Sequence, residues 1–453
     1  MKSAAQPERP VSSANRPLAN PGSDSSKQRA VVSSLRVAID AQIISGLEGG
    51  AEQYLIGLTH GLGQLEGDGH RYDVVTANRD VRWIESHLGV NTSIVPAPPP
   101  SPLWQDRLPS FVRRPLGIAR RGLRRLLKGP PPKRPLQVPA SDGLYESLGP
   151  DVLHITYPSH FVTTSIPIVY TVHDLQHRHL PEYFDEDSLK WREFMYPAAF
   201  EGSEAIIAIS RWVRDDLVFQ YRVPPEKIFA IPSASPGDAY RPVTPEALKQ
   251  VQKKLDLPES FLLYPARTYA HKNHIRLIEA IALLRDRDNV RLNLICTGAQ
   301  HFHWPFIKKR VRELKLESQV RFLGFIGSDE LRCLFHLADM LVFPSLFEGA
   351  GIPLLEAFGE GTAVVCSDIP PFREYGADAP LYFDPRSVDE MAGMLRRTSS
   401  DKELLSKLRN KSRQRGLLYS WEKSAAMYRA VYRKVGGVSL TPEDQLLLQQ
   451  CQQ

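Results

Sequence analysis

The 453 residues are enough for about two domains of ordinary size. An apolar share of 42% and a charged share of 24% are those of a soluble globular protein, and no run approaches the ~18 apolar residues of a membrane span. The net charge of +6 is modest, so its distribution says more than its sum.

The four cysteines, Cys296, Cys333, Cys366 and Cys451, have no metal or redox spacing. They read as small apolar side chains, suited to a reducing cytoplasm. The N-terminus has no apolar core of the signal-peptide kind. The expected place is the cytoplasm, with peripheral attachment to the inner face of the plasma membrane as a variant.

Residues 1–33 are rich in Ser, Pro, Ala, Asn and Gln and lack periodicity, which predicts a disordered tail. Order begins at Leu35 with a short strand, LRVAID. A glycine-rich loop follows from Ser45 to Glu52 and includes Gly50. Ala51, Tyr54, Leu55, Leu58 and Leu62 then recur at helical spacing. Plain turn chemistry explains the loop; so does close approach of backbone to a bound sugar or phosphate. The dinucleotide fingerprint is absent.

Residues 72–77 and 93–95 read as strands. From Pro96 to Pro139 the chain is crowded with proline and arginine, and Arg107 to Arg134 contains no acid. Leu116, Ala119, Leu123, Leu126 and Leu127 share one helical face there, with arginines opposite. Such a segment suits an anionic membrane surface. A solvated loop is the plainer reading, and no aromatic interleaving supports nucleic acid.

Strand signals resume at 151–156, 166–172, 205–209 and 228–231, alternating with helical stretches. That pattern predicts a parallel sheet with helices on both faces. His173 stands where the second of these strands ends, and ligands bind outside the carboxyl ends of such strands. His173 is therefore a site candidate, although a structural histidine fits the position too. A loop from Leu175 to Asp187 lies beside it. Proline and glycine between Pro232 and Pro245 mark a linker. The first domain is thus 34–240, with 96–139 as an insertion.

The second domain, 241–415, repeats the alternation, with strands at 261–265, 290–296, 320–323, 340–343, 363–366 and 381–383. Residues 416–436 form a last helix and 437–453 a tail. Arg267 and Lys272 leave the first of these strand ends together, where two cations can neutralise a diphosphate leaving group. Gly324, Phe325 and Ile326 offer backbone contacts and an apolar wall to a flat base, or a plain turn. From Phe343 to Ser367 the chain runs strand, glycine loop, helix, strand. Gly349 and Gly351 let backbone approach a ligand. Pro353 suits a first helical turn, whose free N–H groups attract phosphate. Glu348 and Glu356 frame this site, eight positions apart.

The run Phe347 to Ala357 resembles the glutamate-x7-glutamate motif of retaining glycosyltransferases of family 4. Gly361 to Asp368, Arg373-Glu374, Arg267 with Lys272, His173-Asp174, the early glycine loop and Trp421 are similar to that family too. The resemblance covers about residues 35–436. It implies the α/β GT-B fold, two doubly wound Rossmann-like domains facing across a cleft, with a sugar nucleotide held mainly by the second. It gives Arg267 and Lys272 the diphosphate, Glu348 the donor sugar hydroxyls and Glu356 the ribose. Backbone at Ala350, Gly351 and Ile352 holds sugar and phosphate oxygens. His173 reaches the donor sugar, and Gly50 lies near the diphosphate or acceptor. The helix from Trp421 to Val435 crosses back to the first domain.

Retention in this family is ascribed to front-side attack, without metal. Asp185-Glu186-Asp187 spells a metal-type D-x-D but falls in the wrong domain. Likeness of Phe347 to Pro385 to bacterial mannosyltransferases points to mannose from GDP-mannose, moved to a lipid-linked or polysaccharide acceptor. The competing readings are a sugar-nucleotide epimerase of the same architecture and a non-catalytic sugar-nucleotide scaffold at a membrane. Two features depart from the family: Ile231 to Gly237 replaces a usual Asn-Gly-Val run, and the 96–139 segment far exceeds the usual ~4–6 residue connection.

Overall fold

The computed structural model describes residues 34–453, apart from 44, 47, 48, 66, 68, 78–80, 98–135 and 158–159. The expected tail at 1–33 and the basic stretch Arg107–Arg134 lie outside the described residues, as does most of the 96–139 insertion. Among the described residues no helix is long and apolar enough to cross a membrane.

Thirteen described strands build two sheets, and every pairing between them is parallel. The first sheet contains β1 (Arg36–Ala41), β2 (Arg71–Thr76), β3 (Thr92–Pro96), β4 (Val152–Ile155), β5 (Ile168–Val172), β6 (Ala205–Ala208) and β7 (Ile228–Ala230), in the order 3-2-1-4-5-6-7. The second contains β8 (Leu262–Pro265), β9 (Leu294–Thr297), β10 (Val320–Phe322), β11 (Met340–Phe343), β12 (Ala363–Ser367) and β13 (Leu381–Phe383), in the order 10-9-8-11-12-13. These strands are apolar runs because helices cover both faces. All four residues of β11 are fully buried, in register from Met340 against Ala363. Each sheet reverses its strand order once, between β1 and β4 and between β8 and β11. Crevices form at such points, at the carboxyl ends of the strands.

Six helices matter for the site: α1 (Gly49–Gly63), α2 (Glu186–Gly202), α3 (Arg211–Tyr221), α4 (Ile352–Glu360), α5 (Trp421–Gly436) and α6 (Pro442–Gln452). Helix α5 follows the second sheet in sequence but packs on α1 of the first. Glycine makes this crossing tight. A Cβ on Gly57 would stand 1.9 Å from the Trp421 ring nitrogen, and one on Gly61 2.4 Å from the Trp421 carbonyl. Gly57→Ala should therefore cost about 1–3 kcal/mol through overpacking. Denaturant melts of Gly57→Ala, Trp421→Ala and the double variant test this. The double variant should lose less than the sum of the two single losses.

Two expectations need correction. The strand expected from Val290 starts only at Leu294. The Val290 N–H instead bonds the Leu284 carbonyl and closes the preceding helix, with Asn289 in the left-handed conformation. Residues 437–453 are no tail. Gly437 ends α5 at φ +73°, and Thr441 opens α6 with a reciprocal cap to Asp444. Leu448 and Cys451 are buried, and Arg433 holds Asp444 at 2.6 Å. The signal was Thr441 with Pro442, Glu443 and Asp444 behind it, a strong helix start.

Candidate active site

A cleft of about 920 Å³ lies between the two sheets, lined by residues of both. His173 follows β5, Arg267 follows β8 and Glu348 follows β11, so three strand ends converge on it.

Lys272 is placed by its loop. Asn273 adopts φ +62°, and its amide donates to the carbonyls of Pro344 (2.9 Å) and Pro385 (2.7 Å). The Tyr264 hydroxyl donates to the Lys272 carbonyl. Lys272 Nζ thereby meets Glu348 Oε1 at 2.5 Å, with both side chains largely covered. Glu348 Oε2 accepts from no described residue. Arg267 is half-buried and pairs with no described carboxylate; its hydrogen bond goes to the Tyr269 hydroxyl at 3.5 Å. Tyr269 is in turn stacked on His301 at 4.4 Å. One paired and one unpaired cation thus flank the same space.

Helix α4 opens at this space. Gly351 takes φ +84°, and a Cβ there would meet Phe372 at 2.5 Å. The N–H groups of Ala350, Gly351 and Ile352 bond to no described acceptor. Free N–H groups and the positive helix end favour an anion. One turn on stands Glu356. Its neighbour Glu360 engages both local partners, the Arg332 guanidinium at 2.5 Å and the His336 ring at 2.7 Å. Glu356 is left with no described partner. Burial, with the Glu360 charge adding and Arg332 opposing, pushes its carboxyl up to about 8. A carboxylate kept without donors costs stability.

His173 donates from Nε2 to the Thr156 carbonyl at 2.8 Å and meets the Tyr54 ring edge-on at 4.8 Å. Burial holds its pKa below the usual range, so the ring is neutral with Nδ1 as acceptor. Its own carbonyl touches the opposite domain: a Cβ on Gly349 would lie 1.8 Å from it. Gly50 sits exposed near the start of α1, with open space around a Cβ. Phe325 and Ile326 line the cleft, and Phe325 reaches within 3.8 Å of a Cβ on Gly46 across it. Gly324 does not line the cleft. Its carbonyl accepts from Gly298 N–H at 2.7 Å, so it serves as a turn. Within the Asp185-Glu186-Asp187 run, Asp185 caps α2 by accepting from the Ser188 N–H and hydroxyl.

Sequence reasoning missed how the domains are joined. Glu374 accepts the N–H groups of Arg211 (2.8 Å) and Trp212 (2.9 Å) at the start of α3. The Ser210 hydroxyl donates to the Gly349 carbonyl at 2.9 Å. Tyr375 accepts from Ser233 N–H at 3.0 Å and donates to the Ile209 carbonyl. Phe347 lies between His179 and Trp212, with ring centroids 5.0 and 5.3 Å away. Only the helix-capping serine at 210 left a local signal.

The model of Glycosyltransferase Family 4 matches residues 48–234, and that of Glycosyl transferases group 1 matches residues 246–415. The chain belongs to the family 4 glycosyltransferases. Among its relatives is the O-antigen chain mannosyltransferase B of Escherichia coli, 28% identical over 238 residues, 51% of this chain and 61% of that protein. The O-antigen chain mannosyltransferase RfbU of Salmonella typhimurium is 27% identical over 240 residues, 53% of this chain and 63% of that one. The chain thus spans less than two thirds of the length of either. Sucrose-phosphate synthase from Thermosynechococcus elongatus superposes with a TM-score of 0.63 at 19% identity, over 89% of this chain and all of that one. The GT-B fold expected from the glutamate motif is the fold of this family 4 member.

Proposed function

We propose that this glycosyltransferase-family chain moves mannose from GDP-mannose to a lipid-linked or polysaccharide acceptor, with retention and without metal. The observation that carries the reading is a complementary set of unmet valences in one cleft. Among the described residues, Arg267 lacks a counter-ion, three N–H groups at the start of α4 lack acceptors, and Glu356 lacks donors. A diphosphate answers the first two, and a ribose answers the third. Breaking the sugar–phosphate bond puts negative charge on the diphosphate, which Lys272, Arg267 and the helix start receive. The acceptor oxygen then attacks the same face of the sugar and gives its proton to the departing phosphate. That both bacterial relatives are named mannosyltransferases supports mannose as the sugar.

The test is a thermal-shift screen of GDP, UDP, ADP and their sugar conjugates. GDP-mannose at about 100 times its Kd should add roughly 2.7 kcal/mol. A larger gain from a uridine or adenine nucleotide would reject GDP as the carrier. Glu356 adds a pH signature. Its raised pKa means that the free folded chain keeps, up to about pH 8, a proton that an unfolded glutamate loses near 4.5. That contribution to stability is fully present below about pH 4.5, falls as pH rises from 4.5 to about 8, and is gone above it. Glu356→Gln should thus melt higher than the parent at pH 9 without ligand. Ribose hydroxyls donate to the ionised form, so nucleotide binding should expel this proton below pH 8. The parent Kd should fall as pH rises toward 8 and then level; the Glu356→Gln Kd should stay weak and flat. A parent Kd independent of pH from 6.5 to 9 would remove Glu356 from the ribose.

A further inference from the structure

One wall of the cleft has no part in holding the donor. Helix α2 turns Ser188, Trp191, Arg192 and Met195 to it, at spacings of three and four. They form one helical face, across from the diphosphate half. Arg192 is half-buried. Its guanidinium lies 5.0 Å over the Phe184 ring and donates to the Tyr196 hydroxyl at 3.4 Å. No described carboxylate pairs with it.

The acids around Arg192 are already engaged. Glu193 meets Arg178 at 3.1 Å and His177 at 3.6 Å. Asp185 takes both hydrogen bonds that Ser188 offers, and Asp174 accepts the Gln176 N–H at 2.9 Å. A partly desolvated cation without a counter-ion is costly unless a ligand brings one. The planar guanidinium fork matches phosphate oxygens. Position matters too. The Tyr196 hydroxyl that receives Arg192 donates onward to the Asp174 carbonyl at 3.4 Å, next to His173. Arg192 is thus two hydrogen bonds from the histidine loop that faces the donor sugar.

We infer that the acceptor carries a phosphate, bound by Arg192, with its sugar or lipid portion on the adjacent Trp191 and Phe184 rings. This inference rests on the donor reading above and narrows its acceptor to a phosphorylated one. A soluble sugar phosphate and the diphosphate of a lipid carrier share this chemistry.

The test uses the full chain saturated with GDP, or with UDP if the screen selects it, so that the donor diphosphate site is filled. Calorimetry then measures mannose 1-phosphate, farnesyl diphosphate and methyl α-mannoside on the parent, Arg192→Gln and Arg192→Lys. One phosphate ligand should bind the parent at least about tenfold tighter than methyl α-mannoside. Arg192→Gln should lose that preference, Arg192→Lys should regain part of it, and nucleotide affinity should stay within about twofold in both. The tighter of the two phosphates identifies the carrier. The inference is overturned if neither phosphate binds the nucleotide-loaded parent, or if Arg192→Gln binds it as well as the parent. It is also overturned if nucleotide affinity falls in parallel, since Arg192 would then serve the donor. Failure of every nucleotide to bind appears earlier, in the screen, and removes the donor reading and this inference together.

Discussion

Lys272→Ala should lower turnover at least ~100-fold, the scale of losing one preorganised charge contact at a developing anion. Two effects combine. The alanine removes a cation from the side of the cleft where, under the proposed function, the diphosphate gains charge. It also strips Glu348 of the ammonium that meets Oε1 at 2.5 Å. Glu348 is largely covered, and the variant leaves its carboxylate without the contact that orients it. Under the proposed function that spoils its second oxygen as an acceptor for sugar hydroxyls. Nucleotide affinity should fall less than turnover, because Arg267 and the α4 N–H groups remain. Lys272→Arg keeps the charge but presents a planar fork to a single carboxylate oxygen, so it should recover only part of the rate. Glu348→Ala should lose rate on the same scale as Lys272→Ala, and the double variant should lose little more than either alone. Steady-state rates with donor and acceptor, beside Kd for GDP, separate these cases. Turnover within about tenfold of the parent in Lys272→Ala would take Lys272 out of leaving-group stabilisation.

The strands were legible because their environment is simple. A parallel strand covered on both faces has to be a short apolar run, and β11 and β12 are such runs. That one stretch of the second domain lines the cleft was legible for a related reason: Gly349, Gly351, Pro353, Glu348 and Glu356 lie within nine residues, so spacing alone implies shared space. What failed was non-local or depended on polar sequence. The α6 residues lack a strong apolar stripe, so the helix was passed over although its cap was plain. Gly324 was included because glycine at a strand end is ambiguous; its carbonyl bond to Gly298 decides for the turn. Glu374 sits 163 positions from Arg211, and no local pattern announces that it caps the helix there. Tyr54 read only as one apolar position on α1, yet its hydroxyl meets Tyr428 at 2.7 Å and its ring braces His173. Arg192 was hidden among the charges of an ordinary amphipathic helix until the other acids there were shown to be engaged.

Gly349→Ala should lower transfer on the order of 100-fold while leaving nucleotide binding largely in place. The cause is space, since Gly349 is not among the residues with positive φ. A Cβ there would stand 1.8 Å from the His173 carbonyl oxygen and 3.3 Å from the Asp174 Cβ. The nearer contact is with backbone, so no rotamer change relieves it. The glutamate loop has to leave the first domain by more than an ångström. That shift breaks the Ser210 bond to the Gly349 carbonyl and moves Glu348, the adjacent residue, away from His173. Reacting groups displaced by about 1 Å lose on the order of 100-fold in rate. The half of the cleft to which the proposed function gives the diphosphate stands on the second sheet, through Arg267, Lys272 and α4, so GDP affinity should change far less. Gly393→Ala, in the helix Val388–Ser400 outside the cleft lining, is the matched control: its Cβ meets nothing within 4 Å, and turnover should stay near that of the parent. If Gly349→Ala turned over like Gly393→Ala, contact between the glutamate loop and the histidine loop would have no part in catalysis, and the two halves of the cleft would act independently.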